Sequence, residues 1–498
     1  MRQKMRLALA LVSVALLVDF GASWRTFTKG RARGGNVGAP KLSKHYDLPP
    51  DQWIEQNLDH FNPTETRTWL QRYFVNTEYY KQGGPIFLMI SGESTARAEW
   101  MAEGEWIEYA KQFGAMCFQV EHRFYGKSHP TSDLSVKNLM FLSSEQALAD
   151  LAYFIKGMNK LHNIPENTKW IAFGGSYAGS LAAWLRSKYP HLVHGAVSSS
   201  GPLLAEIDFQ QYFVIVEESL KKHSQACVDM IETAIHQIDV MMHHRVGQAG
   251  LTEKFNLCDP LDPAHTKPKD VANFYETLAG NFAEVVQYNK DNRNSTKKLN
   301  HTIDDVCNHL VDERNGIPID RLAAMSNSML KASDEKCLNY RYAKMLDELR
   351  NVSWADEAAA GGRQWTYQTC TEFGFFQTSS ARPKLFSNNF PVNFFVQQCT
   401  DIFGPRYNVH LLSSSVVRTN TLYGALDLEV TNVVFVHGSV DPWHALGLTD
   451  SKSPSAPSIY IDGTAHCANM YPPSPDDLPQ LKQARQQVGH LIGTWLQS

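Results

Sequence analysis

Beyond its first residues the chain has no apolar run of the roughly 20 residues that a membrane-spanning helix needs, which excludes a span in the body of the protein. A dominant charge is missing too. Lys and Arg number 47 against 51 Asp and Glu, a formal net charge of −4 with both signs mixed, and without a basic stripe to replace counterions a nucleic-acid surface is excluded. Cysteine is scarce, eight in 498 residues and never as Cys-x-x-Cys, so neither a zinc site nor any other metal or cofactor is expected. His236, His243 and His244 read as a solvated helix end rather than a metal site. Repeats and long low-complexity tracts are absent.

What is present begins with a basic stretch, Met1 to Arg6, followed by Leu7 to Val18, apolar except for Ser13, and by small residues at Gly21 and Ser23. This is the pattern of a secretory signal peptide, assigned to residues 1–23. Residues 24–50, rich in Gly, Lys and Arg with little periodicity, read as a flexible leader or short pro-segment. Once the signal is removed no membrane contact is expected, and the chain is placed in the endosomal-lysosomal lumen or outside the cell. In that oxidising setting a few disulfides would brace a core that a 43% apolar composition can already fill. Cys117 lies in the apolar run Ala115 to Val120 and reads as a buried thiol; Cys227, Cys258, Cys307, Cys337, Cys370 and Cys399 form the bridging set, with Cys467 doubtful.

Thr68 to Asn76, Ile86 to Ile90, Ala115 to Val120, Trp170 to Gly174 and Gly195 to Ser198 are strand-like, and several are apolar on both faces, as in a buried parallel sheet. Helical patterns separate them. One opens at Ser143, where Ser143 and Gln146 suggest a capping box; another runs from Leu181 to Tyr189 and is closed by Pro190. The alternation predicts an α/β fold, a doubly wound and mostly parallel sheet. It stops at Gly201-Pro202, and residues 203–401 read as a helical insertion in which Val228, Ile231, Ile235, Ile238 and Met242 share one face. The insertion carries six of the cysteines and the glycosylation sequons at Asn294, Asn300 and Asn351. Sheet patterns return with Thr431 to Val436 and Ser458 to Ile461 before a terminal helix from about Asp476. The expected organisation is therefore a sheet domain split into residues 51–202 and 402–498 by a cap of residues 203–401.

Three chemically apt side chains fall at carboxyl ends of predicted strands, in the order Ser176, Asp441, His466. Ser176 sits in Gly-Gly-Ser-Tyr-Ala-Gly at a strand-to-helix corner, a departure from Gly-x-Ser-x-Gly because Ala178 holds the second glycine position. A serine there needs a base, which a neutral His466 could supply while Asp441 fixes its tautomer. The amide of Tyr177 and one from Gly92 or Glu93 would hold the oxyanion. Glu121-His122-Arg123 reads equally as substrate-facing or as a structural ion pair. By itself such a triad does not separate amide from ester hydrolysis, and a hydrolase fold that only binds remains an alternative.

Gly83 to Leu88, Glu121 to Ser128, Gly174 to Trp184, Gln368 to Gly374 and Asp441-Pro442-Trp443 resemble the prolyl carboxypeptidase and dipeptidyl peptidase II family, above all its thymus-specific serine protease branch. The resemblance runs from about residue 53 to the end. It implies an α/β-hydrolase with a helical cap, a serine exopeptidase acting on peptides without a cofactor, as a monomer or a homodimer. It also implies the pairs Cys227–Cys307, Cys258–Cys337 and Cys370–Cys399, and a substrate pocket at Ser180, Trp443, Phe375 and Met470. Because Ser180 stands where proline-cleaving relatives have a methionine, a small or apolar preference is expected, with proline accepted but not required; that Ser180 only packs on the elbow helix and faces no substrate is an equal alternative. Whether cleavage is from the amino or the carboxyl end stays open.

Overall fold

The computed structural model describes residues 27–28, 31–32, 35–290, 301–354, 361–381 and 385–498. The expected signal peptide and the sequons at Asn294 and Asn300 lie outside these residues. Asn351 closes the helix Tyr342–Arg350 and is half-buried.

Eight strands build the main sheet: β1 Gln52–Asn57, β2 Thr68–Asn76, β3 Ile86–Ile90, β4 Met116–Val120, β5 Trp170–Gly175, β6 Gly195–Ser199, β7 Val433–Gly438 and β8 Ser458–Ile461. Their spatial order is β8-β7-β6-β5-β3-β4-β2-β1. Only the β1–β2 and β2–β4 pairs are antiparallel, so β2 alone runs against its neighbours in a sheet of the α/β-hydrolase kind.

Parallel neighbours need long crossovers, and helices supply them. They are α1 Glu105–Phe113, α2 Ser144–Leu161 and α3 Tyr177–Lys188, with a terminal helix, Pro479–Gln497, after β8. Successive strand residues point to opposite faces, so a strand apolar throughout feeds both layers. Ile86, Leu88 and Ile90 of β3 join the core under α2 and α3, while Phe87 and Met89 join the one under α1 and the terminal helix. Ser143 caps α2 by accepting from the Gln146 amide at 3.2 Å. Gln146 does not complete the expected box: its side chain is spent on the His60 amide and the Asp59 carboxylate.

Between β6 and β7 the chain leaves the sheet. It forms α4 Gln211–His223, α5 Gln225–Met242, α6 Pro268–Gln287 and α7 Ile303–Val311 among other helices, plus a short parallel pairing of Glu206–Asp208 with Gly374–Phe376. The region is less uniformly helical than its periodicity suggests, because Thr369–Phe373 is a π-helical turn leading into that pairing. It also extends past residue 401. The helix Val409–Tyr423 packs on the same turn, with Thr419 Oγ1 donating to the Glu372 carbonyl at 2.7 Å.

The disulfides are Cys227–Cys307, which ties α5 to α7, Cys258–Cys337 and Cys370–Cys399; Cys117 and Cys467 are free and buried. Burial pushes the Cys117 thiol far up, so it stays protonated and inert. Closing a loop across a sequence separation of 80 restricts the unfolded chain by on the order of 4 kcal/mol. Replacing Cys227 and Cys307 together with serine should therefore lower the thermal midpoint in calorimetry, and an unchanged midpoint would contradict a stabilising role.

Candidate active site

Strand β5 ends in Gly174-Gly175, and Ser176 follows with φ 59° and ψ −135° before α3 begins at Tyr177. A non-glycine residue at positive φ is strained and persists only where its surroundings over-determine it. Here they do. A Cβ on Gly174 would come 2.0 Å from the Ala178 carbonyl oxygen, one on Gly175 2.3 Å from Met470 Sδ, and one on Gly179 2.7 Å from the Ser199 carbonyl oxygen. The Ser176 amide donates to that Ser199 carbonyl at 2.9 Å, which fastens the corner to β6. Gly179 thus does the close-packing, while Ala178 faces Gly92 in the loop after β3.

Asp441 lies in the turn after β7 and His466 in the turn after β8, and both side chains are fully buried. His466 Nδ1 is 2.9 Å from Asp441 Oδ1, an ion-pair contact. The same Oδ1 accepts from the Trp443 amide at 3.0 Å. Burial disfavours charge on both groups, but their mutual attraction prevails. With Cys467 adding to it, this attraction holds the His466 imidazolium well above the usual histidine range, and it holds the Asp441 carboxyl below the usual carboxylate range. His466 Nε2 makes no hydrogen bond. Nearby His437 is also buried, which pushes it down to about 4 and leaves it neutral.

Three residues that sequence reasoning missed complete the centre. Asn36 Nδ2 donates to Ser176 Oγ at 3.2 Å, so the serine hydroxyl is held by the leader and not by the His466 ring. Tyr288 OH donates to Asn36 Oδ1 at 2.9 Å, and Gln287 Nε2 donates to Tyr288 OH at 2.6 Å. From the end of α6 the Gln287 carbonyl accepts the His466 amide at 3.0 Å, and its Oε1 accepts Trp443 Nε1 at 2.8 Å. These contacts span sequence separations of 140 for Asn36 and 156 for Gln287, and no local pattern announces them.

Tyr177 is the first residue of α3, so its amide has no acceptor within the helix. Gly92 and Glu93 stand beside the start of that helix, where a Cβ on Gly92 would lie 3.3 Å from the Ala178 amide nitrogen. Trp443 and Phe375 are buried and meet edge to face with centroids 5.3 Å apart, and Phe209 and Tyr212 extend that aromatic wall. Met470 packs under the elbow against Gly175.

Ser180 is likewise enclosed. Its side chain is buried within the fold and its hydroxyl donates to the Pro202 carbonyl at 2.7 Å, so it lies beneath the elbow rather than lining a pocket. Ser180→Met should consequently cost about 1–3 kcal/mol of stability through overpacking. The ratio of kcat/KM for matched proline and alanine peptides should stay unchanged, and a shifted ratio would return Ser180 to the pocket.

Glu121 and Arg123 are structural. Glu121 pairs with Arg72 at 2.5 Å, and Arg123 pairs with Asp150 at 2.6 Å. Burial pushes His122 down to about 4. Among the described residues no group of three or more His, Cys, Asp or Glu could hold a metal ion, and no helix is long and apolar enough to cross a membrane.

The chain is 36% identical over 485 residues to a putative serine protease of Caenorhabditis elegans, covering 95% of this chain and 94% of that protein. It is 35% identical to the thymus-specific serine protease of Mus musculus, over 90% of this chain and 88% of the relative. To the lysosomal Pro-X carboxypeptidase of Homo sapiens it is 29% identical, over 91% and 90%. The pattern of the family described as serine carboxypeptidase S28 matches residues 56–488, from β1 into the terminal helix, and the chain accordingly belongs to that family of serine peptidases.

Proposed function

We propose that the chain is an exopeptidase that cleaves peptides through Ser176, His466 and Asp441, with a small or apolar residue, proline included, beside the bond cut. The observation that carries this reading is the buried Asp441–His466 pair in the turns after β7 and β8, at the same sheet as a strained Ser176 at the end of β5. Neutral His466 Nε2 takes the proton of Ser176 Oγ as Oγ attacks the carbonyl carbon. The oxyanion is held by the amides of Tyr177 and of Gly92 or Glu93, and Asp441 stabilises the imidazolium. The imidazolium then gives its proton to the leaving amine. Water, deprotonated by His466 in turn, splits the acyl-enzyme and restores Ser176.

The helical region between β6 and β7 supplies Gln287, Tyr288 and Phe375 to the centre, which supports its role as a roof admitting chain ends. Apolar preference follows from the Trp443–Phe375 wall, since a dry aromatic surface rewards a proline ring or a small aliphatic side chain. Disulfides, and relatives named as lysosomal or extracellular, support a secretory or lysosomal setting.

Incubation with a peptide library, read by mass, should show trimming at one end only. Efficient cleavage in the interior of a folded protein would reject the exopeptidase reading.

A further inference from the structure

The leader expected to be flexible is instead packed into the catalytic cleft at Arg31, Ala32, Asn36 and Ala39, all of which are buried. Asn36 spends its polar atoms there. Its Nδ2 donates to Ser176 Oγ at 3.2 Å, its amide donates to Glu93 Oε1 at 2.9 Å, and its Oδ1 accepts from the Ala32 amide at 3.2 Å and from Tyr288 OH at 2.9 Å. The guanidinium of Arg31 donates to the Glu93 carbonyl through Nε at 3.1 Å and Nη2 at 2.8 Å. Gly35, at φ 100°, passes so close to the loop after β3 that a Cβ would sit 2.2 Å from Ser94 Cβ; a glycine is required there. Val37 then joins Gly92, Glu93, Gly175 and Met470 around a small cavity at the elbow.

We propose that this leader is an intramolecular stopper: the chain that retains it is latent, and cutting it away opens the catalytic centre to peptides. The inference rests on the reading of Ser176 as nucleophile. While Asn36 Nδ2–H points at Oγ, it engages a lone pair of the oxygen that would attack and stands against the hydroxyl that a scissile carbonyl must approach. The leader is not itself consumed, because it meets Oγ through a nitrogen donor and not through a backbone carbonyl carbon. Its hold combines these hydrogen bonds with the packing of Ala32, Val37 and Ala39, all short-range contacts of one short segment, so one cut behind it leaves it held by non-covalent contacts alone. The later part of the leader, past the packed stretch, is open to a protease: Lys41, Ser43, Lys44, His45 and Asp47 are exposed.

The test uses the full secreted chain and a fluorophosphonate probe, which labels an activated serine without needing the peptide pocket. A second form carries a site-specific protease sequence in place of residues 43–48, is cut, and is separated from the released leader. A third, left uncut, is the double variant Arg31→Ala, Asn36→Ala, and Ser176→Ala controls for labelling elsewhere. The cut form and the double variant should label about tenfold faster or more than the intact chain, the factor by which a state closed about nine times in ten hides its nucleophile. A synthetic peptide of residues 27–40 added to the cut form should slow labelling again, and the same peptide carrying Asn36→Ala should not. Equal rates in the intact chain, the double variant and the cut form would overturn the latency alone. Labelling that survives in Ser176→Ala, or is absent from every form, would overturn the nucleophile assignment and the latency with it.

Discussion

Ser176→Ala is expected to reduce peptide hydrolysis, measured on the form freed of its leader, by on the order of 10⁴-fold or more while leaving the thermal midpoint nearly unchanged. The two halves of this expectation have separate physical grounds. Alanine keeps the Cβ, so the backbone strain at φ 59° and the close packing of Gly174, Gly175 and Gly179 are the same in both proteins. What stability is lost comes from the Asn36–Ser176 hydrogen bond, about 1 kcal/mol at most. Chemistry loses everything that passes through an acyl-enzyme, retaining only what the oxyanion donors and binding supply. Activity within tenfold of the wild type would remove Ser176 from the mechanism. A collapsed midpoint would instead show that its hydroxyl holds the elbow together.

How much of this was legible in the sequence depends on the range of the interaction concerned. Strand β3 could be read because five consecutive apolar residues are buried on both faces, a local pattern with one structural meaning. The elbow could be read because Gly174 and Gly179 are demanded by contacts within a few residues or with the adjoining strand, although Gly175 answers to Met470 far along the chain. The strand order could not, since pairing β3 with β4 on one side and β5 on the other is a choice among topologies that no single strand encodes. Polar recognition was the least visible. Asn36 and Gln287 look like ordinary surface residues until partners far away in sequence close around them, and Ser180, promising one helical turn from Ser176, turns its hydroxyl to Pro202. Low periodicity in the leader was read as looseness, but its anchors are a glycine, a guanidinium and an amide beside a few small apolar residues, so hydrophobic spacing carries little trace of them.

The pairing of Asp441 with His466 sets a second large effect and its pH dependence. His466 can act as base only when neutral, and Asp441 beside Nδ1 raises its affinity for a proton above the ordinary value of 6.5 despite burial, which works the other way. In the wild type kcat/KM should therefore fall as pH drops through a single ionisation lying above 6.5. Asp441→Asn removes the larger of the two charges that raise it, leaving Cys467 on that side and burial on the other, so the acid limb should move to lower pH. The plateau should meanwhile fall by on the order of 10⁴-fold, because the tautomer is no longer fixed and the imidazolium is no longer compensated. Stability follows the same pair with a definite sign. The aspartate, depressed in the folded state, contributes above its unfolded value and is lost as pH falls; the histidine, raised, contributes below its unfolded value and is lost as pH rises through the folded one. The variant should thus lose most stability between those limits, where the wild-type pair is charged on both sides, and little at either extreme. Profiles of kcat/KM and of thermal midpoint against pH, recorded for both proteins, check this together: an acid limb that stays in place in Asp441→Asn would mean that a group other than His466 titrates in catalysis.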